Sequence, residues 1–339
     1  MKHNGLACFL FLFAFLTGCK EEPPVIGRIE GFTQGTTYNI IYVDTTIIRP
    51  GVVSDDITGL LHSIDMSMSL YVDSSVISRI NRNEDVTPDK YFIDVFNRSK
   101  EISSISSGAF DVTVGPLVEA WGFGPDEHRN FDKSKLDSLL NLVGYGKVDI
   151  RNGKVIKLNP GITIDFNAIA QGYSVDVVCD YFDKAGINNY LVEIGGEVRV
   201  KGRKEGKSWR IGIDRPFDNN LIPGADLQSV VSLEDKALAT SGNYRKFYIE
   251  NGVKYSHTID PRTGYPSKNQ LLSATIIADD CATADGLATA CMVMGLEKAE
   301  DFINNLPGVE AYFIYSDVDG KFRTWMTEGM TDKIERVSR

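Results

Sequence analysis

The chain has 339 residues, 42% of them hydrophobic and 24% charged, which allows a sizeable core in one large domain or two lobes and excludes a disordered chain. Its formal charge of −10 argues against non-specific binding to nucleic acid or to an anionic membrane. An acidic protein that handles a phosphorylated ligand needs a cation to make its site hospitable.

Lys2 and His3 precede an apolar run, Leu6 to Leu16, too short to span a bilayer, which stops at Leu16-Thr17-Gly18-Cys19. That ending resembles a bacterial lipobox. Residues 1–18 are therefore expected to be a signal peptide, residues 19–27 a lipidated Cys19 with a short tether, and residues 28–339 the folded domain. Such a chain would sit outside the cytoplasm, held to a bacterial membrane by the lipid on Cys19, on the periplasmic side. Cys179, Cys281 and Cys291 remain, with no metal-binding spacing, and read as buried small hydrophobes.

Ile29 to Val43 reads as a hairpin around Thr33-Gln34-Gly35-Thr36. Ser54 to Met66 is an amphipathic helix running into Ser69-Leu70-Tyr71, where Tyr71 could stack on a flat ring or pack on the core. Thr87-Pro88 suggests a capped helix start, with Phe92, Val95, Phe96 and Ile102 as its apolar face. Ala109 to Pro116 reads as a β-type run, and Ser134 to Val143 as a short helix stopped by Gly144. Ile162 to Asp165 alternates as a strand that feeds a helix beginning near Asn167, with Asp165 or Asn167 as its cap and free amides where an anion could sit.

From Asn189 the pattern is strand-rich, with short runs at Tyr190 to Ile194, Val198 to Val200, Trp209 to Ile213 and Ser229 to Leu233. Ala239 to Tyr244 is small and polar enough for a phosphate-contacting loop or a plain turn. A strand at Ser273 to Ile277 precedes a helix over Asp279 to Met294, then another helix and a closing hairpin. Helices interspersed with hairpins, without regular βα alternation, predict an α+β fold of mixed or antiparallel sheets with packed helices and no Rossmann or P-loop unit.

The helix over Asp279 to Met294 carries Asp285 and Thr289 at i, i+4, facing the same way. A carboxylate beside a hydroxyl suits Mg²⁺, which takes one or two carboxylates and completes its octahedron with phosphate oxygens and water. The same spacing suits a buried helix in which Asp285 bonds a backbone amide and Thr289 its own i−4 carbonyl. His257, among Ser256, Thr258, Asp260 and Arg262, is either a structural imidazole or a proton acceptor for a hydroxyl.

Taken in order, Gly31 to Thr36, Ser69 to Tyr71, Gly108 to Asp111, Asp165 to Gly172, Gly195-Gly196-Glu197, Thr240-Ser241-Gly242, His257 to Pro261 and Ala284 to Thr289 resemble the ApbE-type FAD:protein FMN transferases over nearly the whole mature chain. The resemblance implies an Mg²⁺-dependent transfer of FMN from FAD to a Thr or Ser hydroxyl of a target protein, with release of AMP. It places the metal on the side chains of Asp285 and Thr289 and the carbonyls of Ala168 and Ala288. It places FAD against Gln34, Tyr71, Ala109, Phe110, Asp111, Asp165, Gln171 and Ile259, with His257 activating the acceptor hydroxyl. The implied partner is a flavin-carrying subunit of an exported or membrane redox complex. Gln34 stands where many members carry methionine, and Ala288 where some carry another acid, which favours one metal ion over two. Two rival readings share the site: an FAD pyrophosphatase making FMN and AMP, and a flavin-binding lipoprotein without catalysis.

Overall fold

The computed structural model describes residues 25–44, 50–124, 132–217, 220, 224–244, 247–250 and 253–337. The expected signal peptide, Cys19 and the start of the tether lie outside them. The chain opens with the hairpin β1 (Val25–Thr33) and β2 (Thr36–Asp44), so the last residues expected of the tether already belong to a strand. Then come α1 (Pro50–Met68), α2 (Val76–Asn81), α3 (Lys90–Ile105), α4 (Gly115–Ala120) and α5 (Leu136–Leu140). A small hairpin, β3 (Val148–Arg151) and β4 (Lys154–Lys157), precedes α6 (Ala170–Lys184). Strands β5 (Tyr190–Ile194), β6 (Glu197–Lys201), β7 (Trp209–Asp214), β8 (Leu227–Leu233) and β9 (Ala237–Gly242) follow. After β10 (Phe247–Glu250), β11 (Val253–Ser256) and β12 (Leu271–Ala278) come α7 (Cys281–Met294) and α8 (Leu296–Asn304). Strands β13 (Glu310–Ser316), β14 (Phe322–Met326) and β15 (Ile334–Arg336) close the chain.

Eight strands form one sheet in the order β1-β2-β5-β6-β9-β12-β13-β14, antiparallel throughout. The fold is α+β, as the element order predicts. Alternation explains how the sheet buries both faces: in β5, Tyr190, Val192 and Ile194 point one way and are buried among α1 and α6. The opposite face is covered by the three-stranded sheet β15-β8-β7, where Val198, Leu238, Ile277 and Ile314 meet Trp209, Ile211, Val231 and Leu233. On the helical face, α3 and α7 pack over the small residues Ala239 and Ala274 of β9 and β12.

Helix α7 is buried on nearly every side, consistent with a sequence rich in Ala and Gly that lets neighbours close in. At Gly172 on α6 an added Cβ would lie 2.5 Å from the Cys281 carbonyl oxygen and 2.9 Å from Asp285 Cβ, so only glycine permits this approach. At Gly286 it would lie 2.6 Å from the Ile102 side chain of α3.

Several local expectations are corrected. The cap of α3 is Asp89, whose Oδ1 accepts the Phe92 N–H at 2.9 Å, not Thr87. Ala109 to Pro116 is not a strand: Asp111 bends it by accepting the Thr113 N–H, and Gly115-Pro116 begins α4. Ile162 to Asp165 joins no sheet; the Asn81 side chain brackets Ile164 instead, donating to its carbonyl at 2.9 Å and accepting its N–H at 2.8 Å. Thr240-Ser241-Gly242 is part of the central strand β9, because small residues are what fits beneath α7.

Candidate active site

Helix α7 is started by Asp280, whose side chain accepts the Thr283 N–H at 2.8 Å. One turn further in, Asp285 is only 6% exposed, and its Oδ2 accepts the Gly172 N–H at 3.1 Å. An amide bond for Asp285 is thus present, but it comes from a different helix. Among the described residues no ion pair reaches this carboxylate. Burial pushes its pKa up to about 7, opposed by the Gly172 N–H and reinforced by the negative charge of Asp176. Thr289, the next turn on, holds its Oγ1 3.2 Å from Ser241 Oγ on β9.

The Gly172 amide belongs to the first turn of α6, where neither Asp165 nor Asn167 is the cap. Ile169 occupies that position and offers no side-chain bond. In a longer helix the Gly172 N–H would reach the Ala168 carbonyl; here it goes to Asp285, which leaves lone pairs of the Ala168 oxygen for another partner. Asp165 is buried just upstream, its Oδ1 accepting the Asn167 N–H at 2.8 Å and its own N–H donating to the Val112 carbonyl at 2.7 Å. Gln171 lies against Gly195, where a Cβ would stand 2.9 Å from its Nε2 and where φ is +67°, a conformation suited to glycine. Gln34, at φ +51° in the β1–β2 turn, donates from Nε2 to Ser174 Oγ at 2.7 Å. Its Oε1 is buried without a hydrogen-bond partner among the described residues.

Ala109 and Phe110 are buried beside α7, the Phe110 ring 3.6 Å from where a Cβ on Gly286 would be. Asp111 is occupied by its own loop: Oδ1 accepts from the Thr113 N–H and hydroxyl, and Oδ2 accepts the Tyr145 N–H at 2.7 Å. Burial raises its pKa and those three donors oppose the shift. Ala288 is fully buried within α7, its carbonyl in the helix interior.

His257 and Ile259 form a second group. Ile259 is buried with Leu117, Trp121 and Val143, and pairs with Pro266 across a single bridge. Trp121 Nε1 donates to the Gly264 carbonyl at 2.8 Å, tying this segment to α4. His257 is half-buried with its ring edge-on to Phe123, centroids 6.4 Å apart. Tyr71 is 67% exposed just past α1. Its turn is fixed to α2, since Ser75 Oγ donates to the Ser69 carbonyl at 2.7 Å.

The donors around Asp285 fit one hard divalent cation. A buried carboxylate with one N–H partner, a hydroxyl one turn away and a freed carbonyl leave positions that phosphate oxygens and water would complete. Among the described residues no three His, Cys, Asp or Glu side chains converge on a metal, so such an ion would depend on its substrate for ligands. Asp176, Arg199 and Asn81 carry none of the signals read from the sequence, yet Asp176 and Asn81 grip backbone next to these residues, and Arg199 holds the Asp176 carboxylate.

The family model of the ApbE family matches residues 34–313. The chain is similar to the FAD:protein FMN transferase of Vibrio cholerae, 38% identical over 294 residues, which cover 84% of this chain and 85% of that one. The Haemophilus influenzae protein of the same name is 36% identical over 297 residues, covering 84% and 85%. Among solved structures, the flavin transferase ApbE from Vibrio cholerae superposes with a TM-score of 0.81 at 35% identity, covering 92% of this chain and all of that one. The apo flavinyl transferase ApbE from Pseudomonas stutzeri gives 0.81 at 32% identity, covering 91% and 97%.

Proposed function

The chain belongs to the ApbE family of flavin transferases, and on that premise we propose that it moves FMN from FAD to a Thr or Ser hydroxyl of an acceptor protein, releasing AMP, with Mg²⁺ as the ion required. The observation that carries the metal assignment is the Asp285 carboxylate, buried among the described residues with one amide donor and no cation, one turn from Thr289. Mg²⁺ bound there would neutralise the diphosphate of FAD and make its bridge breakable.

The protein's own residues do the rest. The α6 N-terminus meets Asp285 through the Gly172 N–H, while Gln34 holds Ser174 of the same helix and Gln171 lies against Gly195. An acceptor hydroxyl oxygen attacks the phosphorus on the FMN side, a new P–O bond forms, and the P–O bond to AMP breaks. His257 takes the hydroxyl proton on an imidazole nitrogen and returns it to solvent. The acceptor is a flavin-carrying subunit of an exported or membrane redox complex, met outside the cytoplasm by an enzyme anchored through lipid on Cys19.

Incubation with FAD, Mg²⁺ and a threonine-containing acceptor peptide tests this reading, with mass spectrometry for added FMN and a separate assay for AMP. Peptide carrying FMN together with AMP is the expected result. AMP without covalent flavin would replace the transferase with a hydrolase, and neither product would leave a flavin binder.

A further inference from the structure

Asp176 lies one turn beyond Gly172 on α6 and is largely buried. Its Oδ1 accepts the Cys281 N–H at 2.9 Å and its Oδ2 the Ala282 N–H at 2.9 Å, the first two amides of α7. Arg199 on β6 donates to Oδ1 at 2.8 Å. Helices α6 and α7 therefore cap each other: Asp176 of α6 closes the start of α7, and Asp285 of α7 closes the start of α6.

The spacing along α7 gives this exchange its consequence. Cys281, Asp285 and Thr289 follow one another at i, i+4 and i+8, so they form one stripe on a rod that rises 1.5 Å per residue. Fixing two consecutive amides at the head of that stripe fixes both the rotation and the depth of the helix. Arg199 keeps Asp176 an acceptor despite its burial, and beyond the pair a cavity of about 340 Å³, lined also by Tyr173 and Asp280, leaves space behind it. Among the described residues, Asp176 is the α6 side chain that hydrogen-bonds the first amides of α7.

We infer that Asp176, seated by Arg199, is a positioning residue that sets the Asp285–Thr289 pair in register with the α6 N-terminus and so fixes the affinity of the metal site. The inference rests on the metal assignment proposed above. It is tested by Mn²⁺ binding, read by electron paramagnetic resonance in the presence of FAD, on the purified mature protein and on Asp176→Asn, Asp176→Glu and Arg199→Met. Groups that orient ligands without touching the ion typically cost about 10- to 100-fold in metal affinity when altered. Asp176→Asn is expected to lose that much, with FAD affinity in metal-free buffer unchanged and a higher Mg²⁺ requirement at unchanged KM for FAD. Asp176→Glu keeps the charge but moves it by one methylene, so it also weakens Mn²⁺ binding if position is what matters. Arg199→Met keeps both amide bonds and serves where Asp176→Asn does not fold; it is expected to weaken Mn²⁺ binding by a smaller factor. A purely structural role would lower the melting temperature while the folded fraction bound Mn²⁺ normally. Parent-like Mn²⁺ affinity in the folded variants overturns the inference alone, and failure of the parent to bind Mn²⁺ overturns the metal assignment and this inference together.

Discussion

The two faces of the eight-stranded sheet bury polar atoms on different terms. Under the three-stranded sheet, two pairs of hydroxyls satisfy each other: Ser229 with Tyr312 at 3.0 Å, and Thr240 with Thr275 at 2.9 Å. Each pair settles its own hydrogen bonding. Under the helices lie two carboxylates with unequal company, Asp176 with a guanidinium and two amides, Asp285 with one amide. A buried charge is costly unless it is paired, so the under-partnered one is where, on the proposed function, a bound cation would supply what the fold does not. The contrast separates polar groups that hold structure from polar groups held ready for chemistry.

The sharpest way to break the contrast is Asp285→Ala. Metal-dependent AMP release from FAD should fall to background while the circular dichroism spectrum and cooperative melt persist; turnover at the parent rate would return Asp285 to the structural class. His257→Ala should come next. A general base is worth about 10²- to 10⁴-fold, so kcat for transfer should drop by that order while FAD affinity stays near the parent value. Collapse of FAD affinity instead would make His257 part of the ligand pocket.

A smaller effect is expected from pH. Asp285 and Asp176 have pKa values pushed up to about 7 and about 6, from an ordinary carboxylate value of 3.8. The folded chain then holds protons that the unfolded chain has released, so stability without metal should fall as pH rises from about 4 to about 7 and level off above. Each pKa unit corresponds to about 1.4 kcal/mol. Melting in EDTA across that range should show the fall, and Asp285→Asn should flatten its upper part; an identical slope in the mutant would deny that burial governs this group. The smallest effect belongs to the other face. Tyr312→Phe, which orphans Ser229, should cost about 1 kcal/mol in a denaturant melt and leave AMP release untouched.

Sequence patterns reveal only some of this contrast. Asp285 and Thr289 are legible because helical spacing puts i and i+4 on one side, and the β1–β2 hairpin because alternation flanks a Gly-containing turn. Val112 to Val114 misleads, since β-branched residues favour strands until Asp111 bends the chain and Pro116 starts a helix. Ser241 reads as loop because it is small and polar, whereas its place beneath α7 is decided by packing. Asp176 has no local signal at all: it caps a helix that begins 105 residues later, and nothing near it in the chain announces the partner.

That separation has a consequence for how the enzyme comes into being. Gln34 meets Ser174 across 140 residues, Gly172 meets Asp285 across 113, and Asp176 meets Cys281 across 105. Contacts so distant must close large loops before they return any free energy, which makes assembly slow and late. A nascent chain halted before α7 would possess most of its strands and every aromatic in its first half, yet neither Asp285 nor Thr289. Activity should switch on only when the last third of the polypeptide has docked.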